Sequence, residues 1–379
     1  MNLALSDEQV FLREAARGAL SRFKTLEAAR EALDGDTAAL PDLWPTACEA
    51  GWPGLLIDED KGGAGLDAFD AMLVLGECGR VLAGIGLLGH LPATAILNDS
   101  PSGADSLADL ATGERRAAYL PVSPPDDLGG GWSADPASGA ARAAAPTAAS
   151  ADGGARVSGE LAFVPDAPGA DVLVGVAILD GQPVGVAIDA SAAGVTVTPV
   201  ERYDSTRSLG HVSLKEAPAS VLDAPEEALA GAWYLAQALI AAESLGSVEV
   251  ALDVSVAYAK ERHTFGRAIG SYQAVKHSLT EVLRQLENGR SLLYYAGWAR
   301  QGSPAEFPLA ASAARSVAGN ALDQAARTMI SVHGGIGATW EHDAPLYFRR
   351  AQLSRRLLGG TSQATDRVSG ELILQADAA

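Results

Sequence analysis

The twelve residues Arg262 to Gln273, RHTFGRAIGSYQ, limit what this chain can become. They separate two long stretches of helical periodicity. Upstream, residues 231 to 261 contain no proline, and Leu235, Leu239, Leu245, Val248, Leu252 and Val256 recur near i, i+3/i+4 and i+7. Downstream, Val275, Leu279, Val282, Leu286, Leu292 and Leu293 carry the pattern to about residue 300. Gly266 and Gly270 interrupt it. The pattern predicts a helix, a tight turn bearing Arg262, Phe265 and Arg267, and a second helix. Such a turn on a rigid scaffold can hold a phosphate or carboxylate. It can equally be a plain helix corner with solvated arginines.

The chain is 379 residues long, enough for two or three domains with sizeable cores. Its net charge is −19, from 28 Lys and Arg against 47 Asp and Glu, which argues against nucleic acid or an anionic membrane as a general partner. An anionic ligand would then need a local basic patch. Two cysteines, Cys48 and Cys78, cannot form a disulfide framework, so a reducing cytoplasm is the expected compartment. Neither a signal peptide nor an 18-residue apolar run is legible, and no metal-ligand spacing appears among the scattered histidines.

Along the chain, Ser6-Asp7-Glu8-Gln9 reads as a capping box before the apolar stripe Val10, Phe11, Ala15, Leu20. A short helix follows at 43–51, a turn-rich loop at 52–65, a helix at about 67–82, and apolar helical sequence to 97. From about 118 the period changes. Short apolar runs at 117–122, 161–164, 172–176, 184–188, 195–197 and 211–214 are punctuated by Gly, Pro and Asp, which predicts a small β-domain. The Ala/Ser/Gly-rich segment 133–152 is expected to be weakly ordered. Residues 223 to 379 are helical again, in four long segments that predict a bundle.

The stretch R-x-x-F-G-x-x-I-x-x-x-Q, then Val332-His333-Gly334-Gly335-Ile336-Gly337, then Gly359-Gly360-Thr361-Ser362-Gln363, resembles the acyl-CoA dehydrogenase family in order and spacing. The resemblance runs from Ser6 to Arg367, strongest over 231–367 and weakest over about 118–160. It implies an α+β multidomain fold: a helical N-terminal domain (1–117), a central small β-domain (118–222) and a C-terminal four-helix bundle (223–379). It implies FAD as cofactor and an acyl-CoA thioester as substrate. A carboxylate would take the α-proton while the flavin takes the β-hydride and passes its electrons to a transfer acceptor. By resemblance, Arg262, Phe265 and Gln273 contact the adenosine diphosphate end of a neighbouring subunit's FAD. Gly334, Gly335 and Gly337 lie by the pyrophosphate, and Thr361 and Gln363 belong to the same cofactor site. Sites shared in this way imply a tetramer. The runs Ala241-Ala242-Glu243-x-Leu245-Gly246 and His333 to His342 resemble actinobacterial-type subunits. Some of these form two-plus-two heterotetramers acting on bulky substrates such as sterol side chains.

The departures fall where the base should be. Of the two family base positions, one is Gly359 and the other Ala236, and neither can accept a proton. Glu243, two turns beyond Ala236, is the remaining carboxylate on that side of the helix. Three readings stay open for it: a relocated catalytic base with a raised pKa, a buried carboxylate paired with an arginine, or a solvated residue. The family's Gln before Gly-Gly is Ser331. The expected thioester loop reads Leu120 to Asp127, keeping only turn character. The flavin-side segment reads Phe163-Val164-Pro165-Asp166, where Pro165 removes a backbone donor. Asp204-Ser205-Thr206-Arg207 resembles the family's D-T-R segment or is simply a turn. The basic run Arg349-Arg350 to Arg355-Arg356 is either a solvated helix face or an anion contact across an interface. The leading reading is an acyl-CoA dehydrogenase. Its rivals are a non-catalytic partner subunit and a flavin monooxygenase on the same fold, which would need no glutamate base.

Overall fold

A computed structural model describes residues 4–34, 40–125, 131–134, 143–201 and 203–378. Six helices open the chain: α1 (Asp7–Leu20), α2 (Thr25–Glu31), α3 (Trp44–Glu49), α4 (Ala68–Arg80), α5 (Leu87–Asn98) and α6 (Leu107–Thr112). The capping box that starts α1 forms as its spacing predicts. Ser6 Oγ accepts from the Gln9 amide at 3.2 Å, and Gln9 Oε1 accepts from the Ser6 amide at 3.1 Å. Asp67 caps α4 in the same way, taking the amides of Phe69 and Asp70.

The strands follow: β1 (Ala117–Leu120), β2 (Val122–Ser123), β3 (Ser133–Ala134), β4 (Ala143–Ala144), β5 (Thr147–Ala151), β6 (Gly154–Pro165), β7 (Val172–Leu179), β8 (Gln182–Asp189), β9 (Val195–Pro199) and β10 (Leu209–Leu222). Strand β7 pairs with both β5 and β8, and β10 with both β6 and β8, so the main sheet closes on itself. Closure leaves little unpaired edge. The Ala/Ser/Gly-rich segment departs from expectation. Residues 135–142 lie outside the described residues, but the flanks are strands. β5 zips onto β6 through a turn at Gly153, whose φ of +80° suits glycine. Ladder hydrogen bonds come from the backbone, so small side chains do not prevent pairing.

The second helical region begins with α7 (Glu226–Glu261), 36 residues long and buried on nearly all sides between Ala228 and Val248. α8 (Gln273–Gly302), α9 (Phe307–His333), α10 (Ala344–Ser354) and α11 (Gly360–Ala378) follow. The junction of α7 and α8 is more structured than a plain turn. β11 (His263–Thr264) and β12 (Arg267–Ala268) form a miniature hairpin, with Phe265 (φ +50°) and Gly266 (φ +79°) at its tip. Two successive positive φ values are what a two-residue hairpin loop demands.

The three regions meet where α4 crosses α7. A side chain at Gly79 would overlap the Glu243 carbonyl, and one at Gly246 would overlap the Gly76 carbonyl. The glycines let the two backbones touch, and Ser247 Oγ donates to Gly79 O at 2.7 Å. At this crossing Glu243 is 3% exposed and its carboxylate is bound on both oxygens, by Arg207 and by Arg350. Arg350, 1% exposed, also donates through Nε to Asp204 Oδ2 at 2.6 Å and to Thr206 Oγ1. Arg207 Nη2 also donates to Ser354 Oγ at 3.1 Å. Two carboxylates and two guanidiniums thus balance charge in the core. Neither reading of the basic run describes Arg350. Only its neighbours behave as surface groups: Arg349 stacks between the rings of Tyr203 and Trp340, and Arg355 approaches Asp323 at 3.4 Å.

Removing one member of a buried ion network strands the others. Glu243→Gln should therefore destabilise the protein by about 3–5 kcal/mol, read as a lower urea midpoint. Burial alone would raise the Asp204 carboxyl, but the Arg350 and Arg207 charges outweigh it and hold it below the usual range. A depressed folded-state pKa stabilises the fold above the unfolded value, near pH ~3.9, and that stabilisation is lost as pH falls through the folded value. Stability should drop more steeply below about pH 4 in the wild type than in Asp204→Asn.

Candidate active site

The candidate residues fall in two separate places. The first is the hairpin and the end of α9. Phe265 is 94% exposed at the hairpin tip, and the Arg262 and Gln273 side chains are also exposed. The arginine's backbone closes the hairpin base: Arg262 N donates to Tyr258 O, and Ile269 N donates to Arg262 O, both at 2.8 Å. Arg267 lies over the Tyr272 ring at 4.0 Å. An open groove of about 490 Å³ runs between Thr264, Phe265, Ile269, Tyr272, Ser331 and Val332. So the hairpin and the start of the Gly-Gly loop share one surface. Gly334 (φ +63°) and Gly335 have nothing within 4 Å of where a Cβ would sit, whereas one at Gly337 would press on His333 and the Ile330 carbonyl. A bare loop over open space, beside an exposed arginine, suits close approach by a phosphate. Behind it His333 stacks between Tyr258 and His342, with centroids 4.4 and 4.2 Å away.

The second place is the start of α11. Here Leu358 (φ +53°), Gly359 (φ +75°) and Gly360 (φ +71°) run in succession through the left-handed region. For Leu358 that conformation costs about 1–2 kcal/mol. Arg315, fully buried on α9, holds the loop by donating to the carbonyls of Ser354 and Leu357. Thr361 is buried with its methyl group against Gly319. Gln363 Nε2 donates to Ser123 Oγ at 2.6 Å, joining α11 to β2. On α7, Gln237 Nε2 donates to Leu358 O at 2.7 Å. The two family base positions, Ala236 and Gly359, therefore adjoin residues that touch each other, although 123 positions separate them in sequence. Trp233, Tyr234, Gln237, Leu358, Gln363 and Arg367 line what space remains, a cavity of about 10 Å³. That is room for about one water molecule.

Glu243 lies apart from this cavity, in the ion cluster at the α4–α7 crossing. Both of its oxygens are bound by guanidiniums, which is the paired one of its three readings. On the β side, Phe163 (φ +54°) and Asp166 (φ +60°) flank Pro165 at the end of β6. Asp166 Oδ2 accepts from Gly89 N at 2.8 Å, so the sheet caps the first turn of α5. Burial pushes the Asp166 carboxyl up to about 6. In the altered thioester loop, Ser123 holds Gln363, while Asp126 and Asp127 lie outside the described residues. Sequence reasoning passed over Gln237 and Arg315, and it marked the segments holding Ser123 and Asp166 without giving either residue a role. Only Gln237 carried a signal, as a polar side chain inside an apolar helical stretch.

Family models match over most of the chain: the acyl-CoA dehydrogenase N-terminal domain over residues 6–122 and the C-terminal domain over 232–373. The acyl-CoA dehydrogenase IpdE2 of Mycobacterium tuberculosis is 31% identical over 97% of this chain and 98% of its own. FadE34 of the same organism is 32% identical over 97% of this chain, which spans 48% of that longer protein. Among solved structures, a variant of the Tcur3481-Tcur3483 steroid ACAD superposes with TM-score 0.85 at 28% identity, covering 98% of this chain and 99% of that one. The ChsE4-ChsE5 complex from Mycobacterium tuberculosis gives 0.84 at 25%, with the same coverage. Among the described residues no helix is long and apolar enough to cross a membrane, and no His/Cys/Asp/Glu group could hold a metal ion. With both domain models matched and a relative aligned end to end, the chain belongs to the acyl-CoA dehydrogenase family, whose chemistry is the FAD-dependent α,β-dehydrogenation of an acyl-CoA.

Proposed function

We propose that this chain is the base-less subunit of a heteromeric acyl-CoA dehydrogenase, in which a homologous partner supplies the proton-abstracting carboxylate. One observation carries the reading: none of the three candidate base positions offers a free carboxylate. Ala236 and Gly359 have none, and Glu243 spends both oxygens on Arg207 and Arg350. A general base must lie within hydrogen-bond reach of the proton it removes, and Glu243 is buried in its ion cluster at the α4–α7 crossing. The small cavity lined by their chain neighbours Gln237 and Leu358 supports the same reading.

The chain's contribution lies on its other surface. Arg262 brings a positive charge to the hairpin, and Gln273 brings hydrogen-bonding capacity at the start of α8. Phe265 brings an apolar side chain that a lone chain leaves in water. Gly334 and Gly335 leave backbone open to phosphate oxygens. These residues fit the adenosine diphosphate end of an FAD whose flavin end lies in a neighbouring subunit. When bound, FAD supplies the hydride acceptor for the β-carbon. This chain's residues would position the cofactor, and the α-proton would go to the partner's carboxylate. The heteromeric steroid enzyme and the ChsE4-ChsE5 complex, both similar over nearly the full chain, support assembly with a homologous subunit.

Co-expression with a homologous chain that carries a glutamate at either family base position should give a yellow mixed tetramer. Replacing that partner glutamate with glutamine should lower acyl-CoA dehydrogenation by at least about a hundredfold. Glu243→Gln in this chain, assayed where it is folded, should leave turnover nearly unchanged. Robust dehydrogenation by this chain alone would sink the division of labour. Arg262→Ala should lose most bound FAD while keeping its fold by circular dichroism. A monomer by light scattering, at micromolar concentration with FAD present, would count against any shared site.

A further inference from the structure

We infer that His342 is a positioning residue for the Gly-Gly loop, holding it through a hydrogen bond that only the neutral imidazole can accept, so that acidification frees the loop and the cofactor end seated on it. The inference goes beyond the division of labour and rests on that reading in one respect, the seating of the adenosine diphosphate end at Gly334 and Gly335. It starts from the amides that open α10. Leu346 N and Tyr347 N donate to Asp343 O, at 2.9 and 3.3 Å, and Pro345 has no N–H. That leaves the amide of Ala344, which donates to His342 Nδ1 at 3.0 Å. Asp343, at the cap position, gives these amides no side-chain bond, and its carboxylate is bound instead by Arg30 of α2. The imidazole therefore takes the place of a capping side chain.

A backbone amide only donates, so His342 Nδ1 must offer its lone pair. Protonation would set an N–H against the Ala344 N–H and place a positive charge at the positive end of α10. The neighbours add to this. His333 stacks on the ring at 4.2 Å, and its own Nδ1 faces Met329 O at 2.7 Å, where it must carry a proton. Tyr258 of α7 stacks on His333 in turn. Of the charges that face His342, Arg30 opposes a proton and Asp343 favours one. Burial, with His333 second, holds the His342 imidazole below its ordinary value. A base whose folded-state pKa is lowered contributes stability that is present above the unfolded value, near pH ~6.5, and lost as pH falls through the folded one. The two histidines bound the loop, His333 at the end of α9 and His342 just before α10, so Gly334 and Gly335 are held from both sides.

The test follows FAD held by the loaded assembly with a homologous partner, read by the fluorescence of released flavin from about pH 8 to about pH 5. The wild type should release most of its FAD in a step below about pH 6.5. His342→Asn offers an amide oxygen in place of Nδ1 and does not titrate. It should hold FAD at the alkaline end and show no step, and His342→Gln replaces it should the first lose its circular dichroism. His342→Phe keeps a ring without the acceptor and should release FAD across the whole range. Asp166→Asn is the control, because burial brings that carboxyl to about 6, and it should keep the step. The inference is overturned by a wild type without a step, by a step that survives in the carboxamide variants or vanishes in Asp166→Asn, by wild-type retention in His342→Phe, or by carboxamide variants that both fail to hold FAD at the alkaline end. Failure of the seat itself shows elsewhere, as full FAD retention by Arg262→Ala at that same end.

Discussion

Everything in this molecule hangs on the crossing of α4 and α7, where two glycines bring the backbones into contact and four charges are buried behind them. The backbone contact comes first. Gly79 and Gly246 leave no room for a side chain, so α7 passes close enough to α4 for Ser247 to reach the Gly79 carbonyl. That approach takes Glu243 out of water. An isolated carboxylate there would cost several kcal/mol. Arg207 from the loop before β10 and Arg350 from α10 neutralise it, and Asp204 balances the second arginine. Because the four groups come from two regions of the chain, the loop before β10 and the C-terminal helices, charge balance is met only when sheet and bundle are docked together. The cluster therefore adds specificity of assembly, whatever its net contribution to stability.

Much of this was legible beforehand where local rules decide. The α1 capping box, the two long helices around Arg262 and the short apolar runs of the sheet follow from spacing and propensity. The separation into helical, strand and helical regions follows from a change of period. What was not legible depends on contacts between distant residues. Nothing in the run Arg349 to Arg356 announces that Arg350 points inward, because its partners are more than 100 positions away. For Glu243, sequence could supply the three readings but not choose between them. The choice was made by Arg207, which arrives from the sheet. The strands flanking residues 135–142 were missed for another reason. Composition describes side chains, and a ladder needs only backbone and a partner strand.

The loop at 358–360 shows how a fold can tolerate loss of a catalytic group. Three left-handed residues in a row are strained at Leu358, and the buried Arg315 guanidinium compensates by binding carbonyls on the preceding turn. A Cβ at 359 would meet Gln363 Oε1, while the Gln363 amide nitrogen bonds to Ser123 and joins α11 to the sheet.

The two places where candidate residues gather then have opposite character. The hairpin and the Gly-Gly loop are open, with a large aromatic side chain in water and backbone free to receive phosphate. The region around Ala236 and Gly359 is closed, with side chains bonded across it and a cavity of about 10 Å³. An enzyme complete within one chain would show the reverse at its reaction centre: room for substrate and an unpaired base. Openness at a surface that can serve a neighbour, and closure where chemistry would occur, is what a subunit needs if it is to organise another chain's cofactor without competing for its substrate. The constraint acts on both halves at once, since α7 carries Gln237 near one end and Arg262 just past the other. Anything that tilts this helix shifts the Gln237–Leu358 contact and the hairpin together. The packing of α7 against α4, through the glycines and the buried charges, therefore also sets the geometry of the surface offered to the neighbour.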